Sequence, residues 1–295
     1  MNSIISGNDN HLPLHIFYRS SLKSCQYSCA YCPFAKKKDS KSTLQKDKKE
    51  LEHFANWVTN YKSPVNILFT PYGEALIRPY YRQMLLQLAA LPHVEQVAIQ
   101  TNLHTPLEWL KDSPKNKLAL WCSFHPSQTT QEAFLARCQQ LRTMHIPFSV
   151  GMVALHEHFD HIRLMRQALP PDVYLWLNAN NNTGQHYYQP QDLAWLLSVD
   201  PWFDYNVTQR ASCGCGCYAG EKSIAVDNIG NITRCRFLRK KLGNLYTDNL
   251  EHLLQKRPCT RQMCGCYIGY AMRKDRPFLQ QFSKGILARI PLSKP

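Results

Sequence analysis

Short apolar runs alternate with longer amphipathic stretches along the first two-thirds of the chain. The apolar runs are rich in branched and aromatic residues and almost continuous in apolar character, as in strands with both faces buried. They are "HIFYRS" (15–20), "VNILFT" (65–70), "VAIQTN" (97–102), "LALWCSF" (118–124), "PFSVGMV" (147–153) and "VYLWLN" (173–178). Apolar spacings of three and four between the runs predict helices over about 44–60, 79–91, 129–144 and 158–169.

This order of elements predicts a parallel sheet. Strand and helix repeated about six times, joined by right-handed crossovers, give a barrel or an open partial barrel. In such folds the chemistry lies at the C-terminal ends of the strands. Unusual residues follow the predicted strands at these ends: the cysteines within 25–32, "PYGEA" (71–75), "TN" (101–102) and "SFHP" (123–126). The predicted fold class is therefore α/β, with a partial (β/α)6 TIM-like barrel.

After about residue 205 the pattern changes to short alternating segments with many cysteines. "SIAVD" and "GNITR" on either side of "NIG" predict a β-hairpin. We predict a barrel over residues 1–205, a small cysteine-rich domain over 206–272 and a basic C-terminal tail over 273–295.

The 12 cysteines are informative because the sequence predicts a cytoplasmic protein. The N-terminal residues do not have the pattern of a secretory signal, and no apolar run approaches the roughly 20 residues that span a membrane. In a reducing compartment, clustered cysteines are more typical of metal sites than of disulfides. Only Cys122 and Cys138 lie outside the two cysteine groups, at 25–32 and at 213–266.

The net charge of +14 favours anionic ligands, whether phosphorylated small molecules, nucleic acid or acidic peptides. Much of this charge lies in "KKKDSKSTLQKDKKE" (36–50), which also fits a solvated loop and helix start. Lysine runs without interleaved aromatic residues or arginines are weak evidence for nucleic-acid binding, so we do not expect a nucleic-acid partner.

Cys25, Cys29 and Cys32 form a C-x3-C-x2-C motif with no fourth cysteine nearby. Clusters held entirely by protein use four cysteines, and structural zinc is also closed by four ligands. Three thiolates therefore suit an iron–sulfur cluster in which one iron has no protein ligand. The alternative is a zinc site completed by a remote residue.

The motif resembles that of the radical S-adenosylmethionine (SAM) superfamily, whose members place C-x3-C-x-aromatic-C after the first barrel strand. The resemblance implies that SAM chelates the free iron of a [4Fe–4S] cluster and that Tyr31 lies beside its adenine. "YGEA" occupies the place of the family's Gly-Gly-Glu-Pro motif, with Tyr72 and Ala75 as departures. Gly73 and Glu74 would then hold the SAM ammonium, while Tyr72 could narrow the pocket. Further contacts implied for SAM are Thr101, Asn102 and Ser123 for ribose and carboxylate, and Gly151, Val153 and Asn178 for adenine.

The second cysteine group resembles the SPASM and Twitch auxiliary modules that follow some radical SAM barrels. Cys217, Gly230 and Cys235 form C-x12-G-x4-C, in which the hairpin brings two distant thiolates together. The resemblance implies one auxiliary [4Fe–4S] cluster, with a second cluster or zinc as alternatives. We predict the ligands to be Cys217, Cys235, Cys264 and Cys266, with Cys215 and Cys259 as replacements.

The function implied is reductive cleavage of SAM to a 5′-deoxyadenosyl radical that takes hydrogen from a small biosynthetic substrate, which the net charge allows to be anionic. The outcome would be an oxidation or rearrangement, with the auxiliary cluster as electron acceptor or substrate anchor. An external donor such as flavodoxin or ferredoxin would supply electrons, and no membrane partner is expected. Cys122, near the end of the fourth predicted strand, is a candidate hydrogen-atom donor.

Two alternatives remain open at this point. One is a radical SAM enzyme that modifies peptides. The other is a zinc-bearing or iron–sulfur-bearing nucleic-acid-binding protein without enzymatic activity.

Overall fold

A nine-stranded sheet is the frame of the molecule. The computed structural model describes residues 12–34, 38–180 and 187–292, and the lysines at 36–37 and the tail end at 293–295 lie outside them. The strands in these residues are β1 Leu14–Arg19, β2 Val65–Phe69, β3 Val94–Thr101, β4 Leu118–Ser123, β5 Phe148–Val153, β6 Leu175–Asn178, β7 Arg210–Ala211, β8 Ser223–Asp227, β9 Asn231–Thr233, β10 Lys241–Asn244 and β11 Met263–Cys264. The order in the large sheet is β10-β9-β8-β1-β2-β3-β4-β5-β6, and β7 pairs separately with β11.

Helices connect the strands. They are α1 Lys41–Asn60, α2 Pro79–Ala90, α3 Gln131–Thr143, α4 Phe159–Ala168, α5 Pro190–Val199, α6 Asp204–Val207, α7 Leu250–Leu253, α8 Tyr267–Tyr270 and α9 Phe278–Phe282, with 3-10 turns at Ala75–Ile77, Glu108–Leu110, His156–His158 and Ser283–Ala288. Thr130 caps the start of α3, because its side chain accepts a hydrogen bond from the backbone N–H of Ala133.

The predicted α/β fold class is confirmed. Strands β1 to β6 pair in sequence order, all parallel, and an α-helix lies in each crossover except that from β3 to β4, which has a 3-10 turn. Each of the six predicted strands is present within a few residues of its expected bounds. The C-terminal strand ends therefore lie along one edge of the sheet, where the unusual residues were expected.

The predicted hairpin joins this same sheet. Strand β8 pairs antiparallel with β9 and parallel with β1, so that His15 lies opposite Ser223 and Arg19 opposite Asp227. The sheet consequently runs without a break past residue 205. The division into two domains at that point stays a prediction.

The C-terminal segment packs against one face of the sheet. Alternate strand residues such as Phe17, Leu68 and Trp121 form one buried cluster with Phe278 and Phe282, whereas the other face packs against α1 to α4. The backbone O of Ala288 accepts a hydrogen bond from the Ser149 hydroxyl at 2.5 Å. Sequence reasoning missed this packing, because the net charge of the tail obscured the apolar residues at helical spacing.

Within the described residues, none of the helices combines the length and the apolar character that a membrane crossing requires.

Candidate active site

The loop after β1 carries the three clustered cysteines. Asp39 fixes its start, because Oδ2 accepts hydrogen bonds from the backbone N–H groups of Lys23 at 2.9 Å and Ser24 at 2.7 Å. A turn between Cys29 and Cys32, closed by a 3.1 Å backbone hydrogen bond, brings these two thiols close in space. All three cysteines line one cavity of about 120 Å³.

Glu74, after β2, reaches the same cavity from the other side. One carboxylate oxygen accepts a 2.6 Å bond from the backbone N–H of Asn102, and the other accepts from the Thr101 hydroxyl at 3.0 Å. Burial raises the pKa of Glu74 to about 7, although these hydrogen bonds and that of the Leu76 N–H oppose the shift. The site therefore holds a desolvated carboxyl group that a bound cation would favour in its ionised form.

Gly73 allows the two loops to touch. A Cβ atom at this position would lie 2.0 Å from the carbonyl oxygen of Ser24, so no other residue fits without backbone movement. Asn102 adds a second link, because its side-chain N–H donates to the Cys25 sulfur at 3.7 Å and its Oδ1 accepts from Gln26 at 2.9 Å. The strand ends thus come together as one site.

A larger chamber of about 470 Å³ adjoins this cavity. The two share Cys32, Gln100, Ser123 and His125 in their walls. The ten residues predicted to contact SAM divide between them: Tyr72, Gly73, Glu74, Thr101, Asn102 and Ser123 line the smaller cavity, and Tyr31, Ser123, Gly151, Val153 and Asn178 line the chamber. Among the described residues, the chamber wall contains no Asp, Glu, Lys or Arg, so its polar groups are amides, hydroxyls, thiols and the imidazole of His125.

His125 was not predicted, although it belongs to the "SFHP" segment that sequence reasoning placed at a strand end. Its Nδ1 lies 2.7 Å from the Tyr31 hydroxyl, and the ring lines both cavities. Burial and, to a smaller extent, the nearby His158 lower the pKa of His125 to about 4, so the imidazole is neutral at pH 7. The neutral ring and the Tyr31 hydroxyl hold each other in place through this hydrogen bond.

The auxiliary cysteines form a second group. Cys217, Cys235, Cys259 and Cys264 line one small cavity of about 20 Å³. Cys266, a predicted ligand, lines the chamber instead, beside Tyr267. The replacement candidate Cys215 is outside the small cavity, where its sulfur accepts a hydrogen bond from Arg273 at 3.3 Å.

Cys122 does not reach the chamber. It is fully buried in β4 and points to the face that packs against the helices, whereas its neighbours Trp121 and Ser123 line the chamber. The alternation of side chains along a strand explains this placement.

Each cysteine group lines a cavity, with three thiols in the first and four in the second. Within the described ranges, no three His, Cys, Asp or Glu side chains converge as a metal ion requires. A cubane cluster spaces its thiolates around a volume, and in each group the cysteines surround a cavity. Arg234, Arg261 and Arg273 also line the auxiliary cavity, where positive charge would stabilise an anionic cluster.

Structures with bound AdoMet share this fold. The chain resembles anSMEcpe with bound AdoMet and Cp18Cys peptide (TM-score 0.55, 15% identity, 94% of this chain and 88% of that chain). It also resembles anSMEcpe with AdoMet and Kp18Cys peptide (TM-score 0.57, 12% identity, the same coverage). The resemblance to BtrN in complex with AdoMet and 2-DOIA is weaker (TM-score 0.39, 15% identity, 81% of each chain) and supports no inference.

The sequence matches no protein-family model and no curated protein. At these identities, the structural similarity establishes the fold alone. The chain therefore has the fold of these AdoMet-bound anSMEcpe structures, as the resemblance to the radical SAM superfamily predicted.

Proposed function

We propose that this protein is a radical SAM enzyme acting on a small-molecule substrate. The observation that carries the proposal is the cavity in which Cys25, Cys29 and Cys32 face Glu74 and Asn102. Three thiols after β1 and a buried carboxyl group after β2 would suit a cluster with one free iron and an ammonium group beside it.

In this proposal the three thiolates hold a [4Fe–4S] cluster and Glu74 accepts the SAM ammonium in a charge-assisted hydrogen bond. When bound, cluster and SAM supply a 5′-deoxyadenosyl radical that removes a hydrogen atom from an unactivated C–H bond. Tyr31, Gly151, Val153 and Asn178 would surround the adenine in the chamber.

The rest of the chamber orients the substrate and excludes water. Trp121, Trp176 and Tyr267 supply flat apolar surfaces, while Asn178 and Asn206 offer amide donors and acceptors. His125, neutral and hydrogen-bonded to Tyr31, would hold the Tyr31 ring in place in the chamber wall.

For the auxiliary site we propose one [4Fe–4S] cluster held by Cys217, Cys235, Cys259 and Cys264. This set replaces Cys266 by Cys259, because these four thiols line one cavity. The cluster would accept an electron from the substrate radical or anchor the substrate. Flavodoxin or ferredoxin is the proposed external electron donor.

The decisive experiment is anaerobic reconstitution followed by reduction in the presence of SAM. We expect a brown protein that produces 5′-deoxyadenosine and methionine, and a Cys25→Ala/Cys29→Ala/Cys32→Ala variant that produces neither. Cys138→Ala is the matched control, because this thiol is buried in α3, outside both cysteine groups. A colourless, zinc-loaded wild type would instead support the non-enzymatic alternative, especially if its affinity for DNA or RNA fell steeply with salt.

Peptide modification is the second candidate. Its support is that the anSMEcpe structures sharing this fold include complexes with the Cp18Cys and Kp18Cys peptides. Deuterium transfer into 5′-deoxyadenosine separates the two candidates. Transfer from labelled small molecules supports the first, and transfer from a labelled peptide supports the second.

A further inference from the structure

A cleft of about 650 Å³ opens beside the SAM-site cavity and is lined by positive charge. Four cationic side chains lie in its wall: Arg19 at the end of β1, Lys23, Lys38 and Arg236, which follows the proposed ligand Cys235. Two carboxylates, Asp39 and Asp227, lie there too. The cleft thus joins the loop after β1 to the loop after β9.

The two carboxylates lower the charge of the cleft from four positive groups to a net of two, but among the described residues neither forms an ion pair with these cations. Asp39 accepts hydrogen bonds from two backbone N–H groups and the Ser24 hydroxyl, and Asp227 accepts from the backbone N–H groups of Ile229 and Asn231. Within the part of the chain that the structure describes, none of the four cations forms an ion pair. The positive charge of the cleft is therefore available to a ligand.

Two of the cations are held close together. The Nε of Arg19 donates to the Thr70 carbonyl at 2.8 Å, and its guanidinium lies 4.8 Å from the centre of the Tyr72 ring. The Nε of Arg236 is buried and, among the described residues, has no hydrogen-bond partner. Burial lowers the pKa of Arg19, and the neighbouring Arg236 lowers it further. Both side chains are half-buried in the cleft wall, so an anion between the two like charges would be stabilising.

The N-terminus of α1 points into the same cleft. Ser40 caps this 20-residue helix, and no acidic residue lies in its first turn. Ser40 and Thr43 both line the cleft. The positive end of a long helix and its hydroxyl groups add to the attraction for an anion.

We propose that this cleft binds the phosphoryl group of a phosphorylated small molecule. Arginine forks, lysines and a helix N-terminus are the recurring ligands of phosphate oxygens. The cleft is much larger than a phosphate ion, which leaves room for the organic part of the molecule. Tyr72 lies in the wall of both the cleft and the SAM-site cavity, whereas among the described residues no side chain lines both the cleft and the chamber proposed for the substrate. The proposal therefore concerns binding alone and does not rest on the proposed function.

The test is equilibrium dialysis of the anaerobically reconstituted protein with ribose 5-phosphate, with inorganic phosphate and ribose as comparison ligands. We expect ribose 5-phosphate to bind, inorganic phosphate to compete with it more weakly, and ribose not to bind. Affinity should fall as salt increases. Because binding does not need radical chemistry, its failure would leave the proposed function standing, and failure of SAM cleavage would leave the binding result standing.

Arg236→Gln removes one guanidinium from the cleft and should weaken ribose 5-phosphate binding about tenfold or more, as expected for a lost charge-assisted hydrogen bond. Lys23→Gln is a second variant, expected to weaken binding in the same direction. Arg239→Gln is the matched control, because Arg239 is exposed on the same loop but does not line the cleft. An unchanged thermal midpoint confirms that each variant is folded. Absence of binding, tighter binding of inorganic phosphate than of the ester, or an equal loss in Arg239→Gln would overturn the proposal.

Discussion

The environment of Glu74 has a direct consequence for its charge at neutral pH. It is buried, accepts three hydrogen bonds and has a pKa raised to about 7, mainly by loss of water. A carboxyl group in this state changes charge near neutrality, so a cationic ligand that it holds should bind in a pH-dependent way.

We predict that the affinity for SAM rises between pH 6 and pH 7. The ionised fraction of a group with a pKa of about 7 rises roughly fivefold over this unit, and only the ionised form attracts the ammonium. The dissociation constant should therefore fall by up to that factor, as measured by equilibrium dialysis. In Glu74→Gln the affinity for SAM should be lower by about tenfold or more and should not change with pH. If the affinity of Glu74→Gln for SAM still changed with pH, the change would come from the titration of another group.

Cys259 and Cys266 allow a test of the auxiliary ligands. Starting from the Cys25→Ala/Cys29→Ala/Cys32→Ala protein, we predict about four iron atoms per chain, the content of one [4Fe–4S] cluster. Adding Cys259→Ser should lower the iron content strongly, since Cys259 lines the auxiliary cavity, whereas adding Cys266→Ser should leave it nearly unchanged. Iron and sulfide analysis provides the measurement. A loss of iron in the Cys266→Ser protein but not in the Cys259→Ser protein would support the ligand set predicted from sequence, which includes Cys266.

At the scale of elements, the site depends on how closely the loop after β2 approaches the loop after β1. Gly73 lies at this contact, and its backbone N–H donates to the carbonyl of Leu22 at 3.3 Å. A methyl group there would meet backbone atoms of Ser24, which cannot rotate away as a side chain can.

Gly73→Ala should therefore destabilise the protein by about 1–3 kcal/mol, as overpacked positions do. This loss should appear as a thermal midpoint lower by roughly 2 °C or more per kcal/mol, together with weaker SAM binding. The matched control is Gly216→Ala, since the added Cβ would meet only the Lys274 side chain, at an ordinary 3.6 Å. Equal midpoints for the two variants would show that the loops separate easily.

The elements also show what could be predicted from sequence. Strands β1 to β6 and helices α1 to α4 were predictable because their apolar patterns repeat with clear periods. The convergence of Cys25, Cys29, Cys32 and Glu74 on one cavity was predictable because parallel strands bring their C-terminal ends together. The position of Cys266 in the chamber wall could not be predicted, since the spacing Cys264-x-Cys266 does not indicate which thiol faces which cavity. The pairing of β8 with β1 could not be predicted either, because the sequence of a short strand does not indicate which strand it pairs with.

In the molecule as a whole, the C-terminal segment covers one face of the large sheet. Phe278, Phe282 and Ile286 pack on one face of the sheet, and the guanidinium of Arg289 lies 4.0 Å from the ring centre of Tyr267. Arg289 is also 4.6 Å and 4.4 Å from the rings of Trp121 and Trp176, two side chains that line the chamber. Arg289 therefore packs against two tryptophans that also line the chamber.

Phe282→Ala should destabilise the protein by about 3–5 kcal/mol, the usual cost of removing a buried aromatic ring. Phe282 is 1% exposed and its ring contacts those of Trp202 and Tyr174, so we expect these rigid neighbours to fill little of the cavity left behind. Gln280→Ala, at an exposed position of the same helix, is the control and should stay within about 0.5 kcal/mol. Thermal unfolding of both variants measures the difference, and similar midpoints would mean that the segment contributes little to stability.

The central claim is that one iron of the N-terminal cluster lacks a protein ligand and is chelated by SAM. Pulsed electron–nuclear double resonance on the reduced protein, with SAM labelled by 15N at its amino group and by 17O at its carboxylate, tests this most directly. We predict coupling of both nuclei to the cluster in wild type and no coupling in the Cys25→Ala/Cys29→Ala/Cys32→Ala protein. A reduced wild-type cluster whose spectrum shows neither coupling, with SAM present in excess, would contradict the account.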